Sequence, residues 1–182
     1  MPPKVVKTIC DLIFWQYAKL IARAAGFADN WGFMVKTFKD LQTGKKSWSD
    51  VLREDRKMQG EQRCVYCGST GELTWDHIIP QKVNAPKDCK VNEIHNLVPC
   101  CKKCNSSKGA RDVFAWYVVD RPDDELPRIV EGKYLKLIYE CHECRGTLHD
   151  PADLNLDGEI NVRDLGWIFT EPCPPQRGGG LR

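Results

Sequence analysis

The residues best placed to do chemistry begin with two cysteine clips. Cys64-x2-Cys67 and Cys101-x2-Cys104 each offer two thiols across a tight turn, with about 33 residues between them. Four thiolates satisfy a tetrahedral zinc ion and close its coordination sphere, so the expected site is structural rather than catalytic. Cys100 adjoins the second clip but is out of register, and reads as a bystander. Between and beside the clips stand Asp76-His77, Asn96 and the run Asn105-Ser106-Ser107-Lys108-Gly109. Taken singly, His77 reads as a core histidine, Asp76 as a salt-bridge partner, Asn96 as a turn residue and Asn105 as a helix cap. Their joint occurrence inside a metal-framed segment shifts the balance toward catalysis.

The order C-x2-C, D-H, N-L, C-x2-C-N-x2-K, read from Cys64 to Lys108, resembles the HNH endonuclease family. The likeness covers residues 64 to about 112, with "WDHIIPQ", "HNLVPC" and "CKKCNSSKG" as its parts. The resemblance implies a hairpin followed by a helix around one catalytic metal, the ββα-metal fold. It implies that Asp76 and Asn105 ligate a divalent cation through oxygen, a donor set that suits Mg²⁺ or Mn²⁺. It also implies that His77 is the general base acting on water and that Asn96 braces the hairpin loop through backbone hydrogen bonds. A cut of this kind leaves a 5′-phosphate and a 3′-hydroxyl. Adjacent strand residues point to opposite faces, so Asp76 and His77 act together only if the strand end bends or they work on different sides of a phosphate.

A nuclease needs cationic contacts. Lys102, Lys103, Lys108 and Arg111 lie along the expected metal helix, and Lys82, Lys87 and Lys90 in the hairpin loop. Such contacts position a phosphate backbone without reading sequence. The expected partner is DNA in duplex form, and cutting both strands calls for two copies of a single-site chain. Trp15, Trp31 and Trp48 fall within helical apolar stripes and read as core rather than as base-stacking platforms.

A further constellation lies near the end. In "DLNLDGEINVRD", Asp153, Asn155, Asp157, Gly158, Asn161 and Asp164 occupy calcium-loop positions 1, 3, 5, 6, 9 and 12, and Glu159 offers its carbonyl at 7. The stretch resembles the loop of EF-hands and dockerin repeats, in a single copy, and implies a Ca²⁺ site. The plainer reading is an Asx- and Gly-rich turn before a short helix, Val162 to Phe169. Cys141 and Cys144 lie three apart on an expected helix without a matching clip, and read as free thiols.

These residues need elements to hold them. The period of Ile9, Ile13, Tyr17, Leu20 and Ala24, stopped by Gly26, predicts a helix. A second starts at Asp29 or Asn30 and buries Met34, Phe38 and Leu41; a third runs from Ser47 to about Gly60. "ELTWDHIIP" and "HNLVP" read as a long-looped hairpin. Helices are then expected from about Lys103 to Val119 and from about Pro127 to Cys144, the latter with Val130, Tyr134, Ile138 and Cys141 on one stripe and Gly146 after it.

Composition bounds the rest. The 182 residues are 42% hydrophobic and 29% charged, and no apolar run approaches the length of a membrane span. Net charge is +2 but uneven, with 12 basic and 7 acidic groups in residues 1–63 against 8 and 13 in residues 113–182. The N-terminus carries Asp11 inside its apolar part and fails as a secretory signal, which points to the cytoplasm. Ten cysteines there favour metal ligands and free thiols over disulfides. The expected class is α+β: a helical region at 1–62, a zinc-framed ββα-metal core at 63–120, a helical region at 121–149, and a calcium-loop-like appendage with a tail at 150–182. The preferred function is metal-dependent DNA hydrolysis; the alternative is a noncatalytic zinc-held DNA- or RNA-binding module.

Overall fold

The computed structural model describes residues 2–47, 62–83, 91, 94–122, 125–154 and 156–169. Helix α1 (Ile9–Ala24) opens on a capping box: Asp11 N–H donates to Thr8 Oγ1 at 3.2 Å, and Thr8 N–H donates to Asp11 Oδ2 at 3.1 Å. Helix α2 (Trp31–Gln42) is capped by Asn30, whose Oδ1 accepts from Phe33 N–H at 2.9 Å. Strand β1 (Leu73–His77) pairs antiparallel with β2 (Leu97–Cys101), and a 3-10 turn, Ile94–Asn96, precedes β2. Helices α3 (Lys102–Lys108), α4 (Val113–Asp120) and α5 (Arg128–Arg145) follow, then a 3-10 turn at Asp164–Phe169. The class is α+β, with one two-stranded sheet among the described residues.

Two expected helices are corrected. The single helix foreseen from Lys103 to Val119 is two, because Gly109 takes a left-handed φ of 53° and ends the first. Asp112 then restarts the chain by accepting from the N–H groups of Phe114 and Ala115, each at 3.0 Å. The short helix foreseen from Val162 is a 3-10 turn beginning at Asp164. The helix foreseen from Ser47 to about Gly60, with Trp48, lies outside the described residues, as do Lys87 and Lys90.

Helix α1 packs between α2 and α5, burying Ile9, Leu12, Ile13, Tyr17 and Leu20, while Ala24, expected on that stripe, is exposed. Trp15 meets Phe38 edge-on at 5.9 Å, and Phe14 stacks on Tyr139 of α5 at 5.9 Å. Trp31 departs from its expected core place: it is 52% exposed, with its edge on Trp15 at 5.2 Å. The chain after α5 returns to α1, where Ala152 N–H donates to the Lys7 carbonyl at 2.9 Å. Buried His142 ties α5 to that return through Thr147 Oγ1 at 2.8 Å.

The hairpin hangs on this helical body by specific links. Lys133 of α5 donates to the Leu97 carbonyl of β2 at 2.7 Å. Phe114 of α4 meets Tyr134 of α5 at 4.9 Å, and Trp116 of α4 meets Tyr66 at 4.9 Å. Cys141, expected as a free thiol, is disulfide-bonded, whereas Cys144 is not in a disulfide. Cys141 is buried and Cys144, one turn on near the end of α5, is exposed.

Candidate functional site

The four clip thiols converge. The Sγ atoms of Cys64, Cys67, Cys101 and Cys104 all lie within 4.8 Å of one another, and Cys67 and Cys101 are 3.8 Å apart. That matches the edge of a tetrahedron with Zn–S bonds near 2.3 Å, about 3.8 Å. The first knuckle is shaped by Gly68, at φ 69°, whose N–H donates to the Cys64 carbonyl at 2.8 Å. At the second, Cys101 caps α3 by accepting from Cys104 N–H at 3.5 Å, and this bond lowers its thiol to a pKa of about 6. Cys100, the bystander, is buried and pushed up to about 12, chiefly by burial. The donor set fits zinc in kind, number and spacing. Among the described residues no other group of three or more His, Cys, Asp or Glu is gathered this way.

Pairing β1 with β2 places Trp75 opposite Pro99, Asp76 opposite Val98 and His77 opposite Leu97. Alternation then separates the neighbours. Asp76, with Val98 and Cys100, turns to the buried side; Trp75 and His77 share the other. The Asp76 carboxylate is 3% exposed, accepts from Tyr66 Oη–H at 2.7 Å through Oδ2 and pairs with Lys108 Nζ at 3.1 Å through Oδ1. Burial and the adjacent Asp76 charge raise Tyr66 well above the usual phenol range, so its hydroxyl keeps the proton it donates. Lys108 Nζ also donates to the His77 carbonyl at 2.6 Å. The ammonium therefore staples the end of β1 to α3.

Asn96 is wholly buried. Its Oδ1 accepts from Ile79 N–H at 2.8 Å, and its Nδ2 donates to the carbonyls of Ile79 at 2.7 Å and Val91 at 2.5 Å. The amide thus ties down the chain immediately after His77. Asn105 sits on α3 and donates from Nδ2 to the Trp75 carbonyl at 3.3 Å, one residue before Asp76. The His77 ring makes no hydrogen bond among the described residues and is partly open to solvent.

The cations divide. Lys108, expected to face nucleic acid, is instead 1% exposed, since its charge is spent on Asp76 inside the fold. Arg111 donates to the Ser107 carbonyl at 2.5 Å and lies 3.6 Å from Asp120. Lys102 pairs with Glu72 at 2.8 Å on the surface. Lys82 and Lys103 are exposed.

In the loop after α5, Asp153 Oδ2 accepts from Gly158 N–H at 3.0 Å, Asp157 Oδ1 from Glu159 N–H at 2.7 Å, and Asp164 Oδ2 from Asn161 N–H at 2.7 Å. Asn161 Oδ1 accepts from Arg163 N–H at 2.9 Å, and its Nδ2 reaches the Glu159 carbonyl at 3.4 Å. Gly158 has a φ of 82°, the left-handed bend a calcium loop needs at its sixth position. Asn155 lies outside the described residues.

Sequence reasoning missed Tyr66 and the inward turn of Lys108. Tyr66 lies within the first clip, whose fixed turn aims its side chain at the strand that follows; that place was its one legible signal.

Comparison with known proteins adds the following. The family model described as HNH endonuclease matches residues 64–111. The CRISPR-associated endonuclease Cas9 of Corynebacterium diphtheriae is 32% identical over 90 residues, which is 45% of this chain and 8% of that protein's length. No solved structure matches the chain. Among the described residues no helix is long and apolar enough to cross a membrane. Residues 64–111, the thiol-framed hairpin with the helix that follows it, thus carry the similarity to HNH endonucleases.

Proposed function

We propose that this chain is a metal-dependent endonuclease that hydrolyses DNA phosphodiester bonds at the end of β1. One observation carries the reading. The segment that matches HNH endonucleases is the one whose thiol frame brings Asp76-His77 and Asn105 onto adjoining elements, with Asn105 bonded to the carbonyl of Trp75.

His77 is the proposed general base. Its ring is partly open to solvent and makes no hydrogen bond among the described residues, free to take a proton from an attacking water, while Lys108 holds its own carbonyl and Asn96 the backbone two residues on, at Ile79. Asp76 and Asn105 are the proposed ligands of Mg²⁺ or Mn²⁺, and because Asp76 is buried against Tyr66 and Lys108, holding the ion requires its carboxylate to turn from that pair toward Asn105. The donors fit in kind: a carboxylate offers about four lone-pair positions, of which Tyr66 and Lys108 take one each, and Asn105 uses its nitrogen on Trp75, leaving its amide oxygen for a cation. Such an ion supplies charge neutralisation on the phosphate during in-line displacement. Lys82 and Lys103 are the proposed backbone contacts. A nicking assay on supercoiled plasmid with Mg²⁺ or Mn²⁺, run beside His77→Ala, tests the reading. The variant is expected to lose roughly a hundred- to ten-thousandfold in rate with its zinc content intact. Equal rates in the two proteins would remove the mechanism, and binding without turnover in the parent would leave the zinc-held binding module.

The loop at 153–164 is proposed to hold Ca²⁺ as a stabiliser of the return to α1. Asp153 supports this with a buried Oδ1 that has no hydrogen-bond partner among the described residues, beside the left-handed Gly158. Calorimetry with millimolar Ca²⁺ is expected to show binding; silence there ends the proposal.

A further inference from the structure

A large aromatic side chain stands on the same strand face as the proposed base. Trp75 is 62% exposed, and alternation along β1 points it to the side taken by His77, two residues on. The two Cα atoms are about 7 Å apart on a strand rising about 3.3 Å per residue. One nucleotide bridges that distance. Across the sheet Trp75 faces Pro99, a flat, half-buried neighbour without an N–H to offer. Helix α3 holds the strand beneath at two points, by Asn105 on the Trp75 carbonyl and by Lys108 on the His77 carbonyl. A lone exposed apolar residue is ordinary on a protein surface. Trp75 differs in standing on an anchored backbone beside the proposed base, with exposed Lys103 on the helix that its carbonyl contacts.

We propose that Trp75 is a positioning residue that stacks on an unpaired base next to the scissile phosphate, so that the substrate presented to His77 is single-stranded DNA. This rests on the endonuclease reading and departs from the duplex expected from sequence. The physical reason is that every base in a duplex already has both faces covered by its neighbours, whereas an unpaired base has a face to give. Aromatic platforms combined with cationic contacts are the common means of holding single strands, and they tolerate any base because each has a π-face. The indole gains a partner and loses exposed apolar surface. The backbone of the same nucleotide then falls toward His77.

The test uses the full zinc-loaded chain carrying His77→Ala, so that binding is read without turnover. Fluorescence anisotropy compares a labelled single-stranded oligonucleotide with the same sequence as a duplex, with Trp75 intact, as Trp75→Ala and as Trp75→Phe. Single-strand affinity is expected to fall roughly ten- to a hundredfold on Trp75→Ala and less on Trp75→Phe, which keeps a ring, while duplex affinity stays the same. A 2-aminopurine in the strand is expected to be quenched only where residue 75 is aromatic. In the His77 background of the parent, the same substitution should raise KM far more than it lowers kcat. Single-strand affinity unchanged in Trp75→Ala, no single-strand binding at all, or equal dependence on Trp75 for duplex would each overturn the inference. Trp75-dependent binding in a chain that never cleaves would defeat the endonuclease reading alone; cleavage without such dependence would defeat this inference alone.

Discussion

The helical body and the thiol-framed hairpin are held together by different forces. In the body, α1, α2 and α5 bury a continuous apolar stripe, with Leu12, Leu20, Phe38, Leu135 and Ile138 inside it. The hairpin segment has two short strands and a helix of 7 residues, and its interior includes a carboxylate, an ammonium and an amide. Elements this small cannot stand on apolar burial alone. Four thiols and a set of buried hydrogen bonds add to the few apolar side chains buried there, such as Tyr66, Ile78 and Val98, and the difference shows where each half is vulnerable.

Metal removal should expose that difference most strongly. Zinc sites in small peptides contribute on the order of 10 kcal/mol or more to folding. Chelation, or Cys104→Ser, is therefore expected to abolish hydrogen-exchange protection in β1, β2 and α3 while α1 keeps its own. Equal loss in both regions would erase the distinction. Next in size is Lys108→Met, which leaves the Asp76 carboxylate buried beside Tyr66 with no counter-charge. Breaking a buried pair in this way costs about 3–5 kcal/mol. Urea titration followed at the hairpin should register that loss, and a value near zero would mean that Asp76 reaches solvent.

Acid should strike the opposite half, with the smallest effect. Burial lowers His142 to a pKa of about 4 from 6.5, with the bond to the Leu165 carbonyl opposing the shift. Between those values the unfolded chain binds the proton and the folded chain does not. The contribution is thus complete above about pH 6.5 and is lost as pH falls toward 4, amounting to about 3 kcal/mol. Protection of α5 amides should decline over that interval in the parent and flatten in His142→Gln. A parent profile that is already flat would show that His142 charges within the fold.

Much of the site was legible because its chemistry is local. A clip of two cysteines two apart is a turn, and two such turns imply one ion wherever the intervening chain goes. The brace at Asn96 was foreseen only through the resemblance, since taken singly that residue reads as a turn residue. The helix break at Gly109 was less legible: the sequence around it reads as helical on average, and only the positive φ of one residue and the cap on Asp112 divide it. Trp31 was misread because a helical stripe says which residues share a face, while the edge of α2 that α1 leaves open is set by packing. The disulfide at Cys141 had no signal at all, as pairing between distant cysteines follows from neither residue's surroundings in sequence.

Spacing along the chain determined the thiol frame, the α+β class, the hairpin with its following helix and the order of the proposed catalytic residues, since each depends on contacts within a few turns or a strand's alternation. Tertiary structure alone decided that Asp76 points inward to Tyr66 and Lys108 while His77 and Trp75 look out, and that α5 reaches the hairpin through Lys133. The physical reason is that a strand's two faces are equivalent until something packs on one of them. In this chain the first cysteine clip and α3 choose the face that is covered, and the face they leave open holds His77.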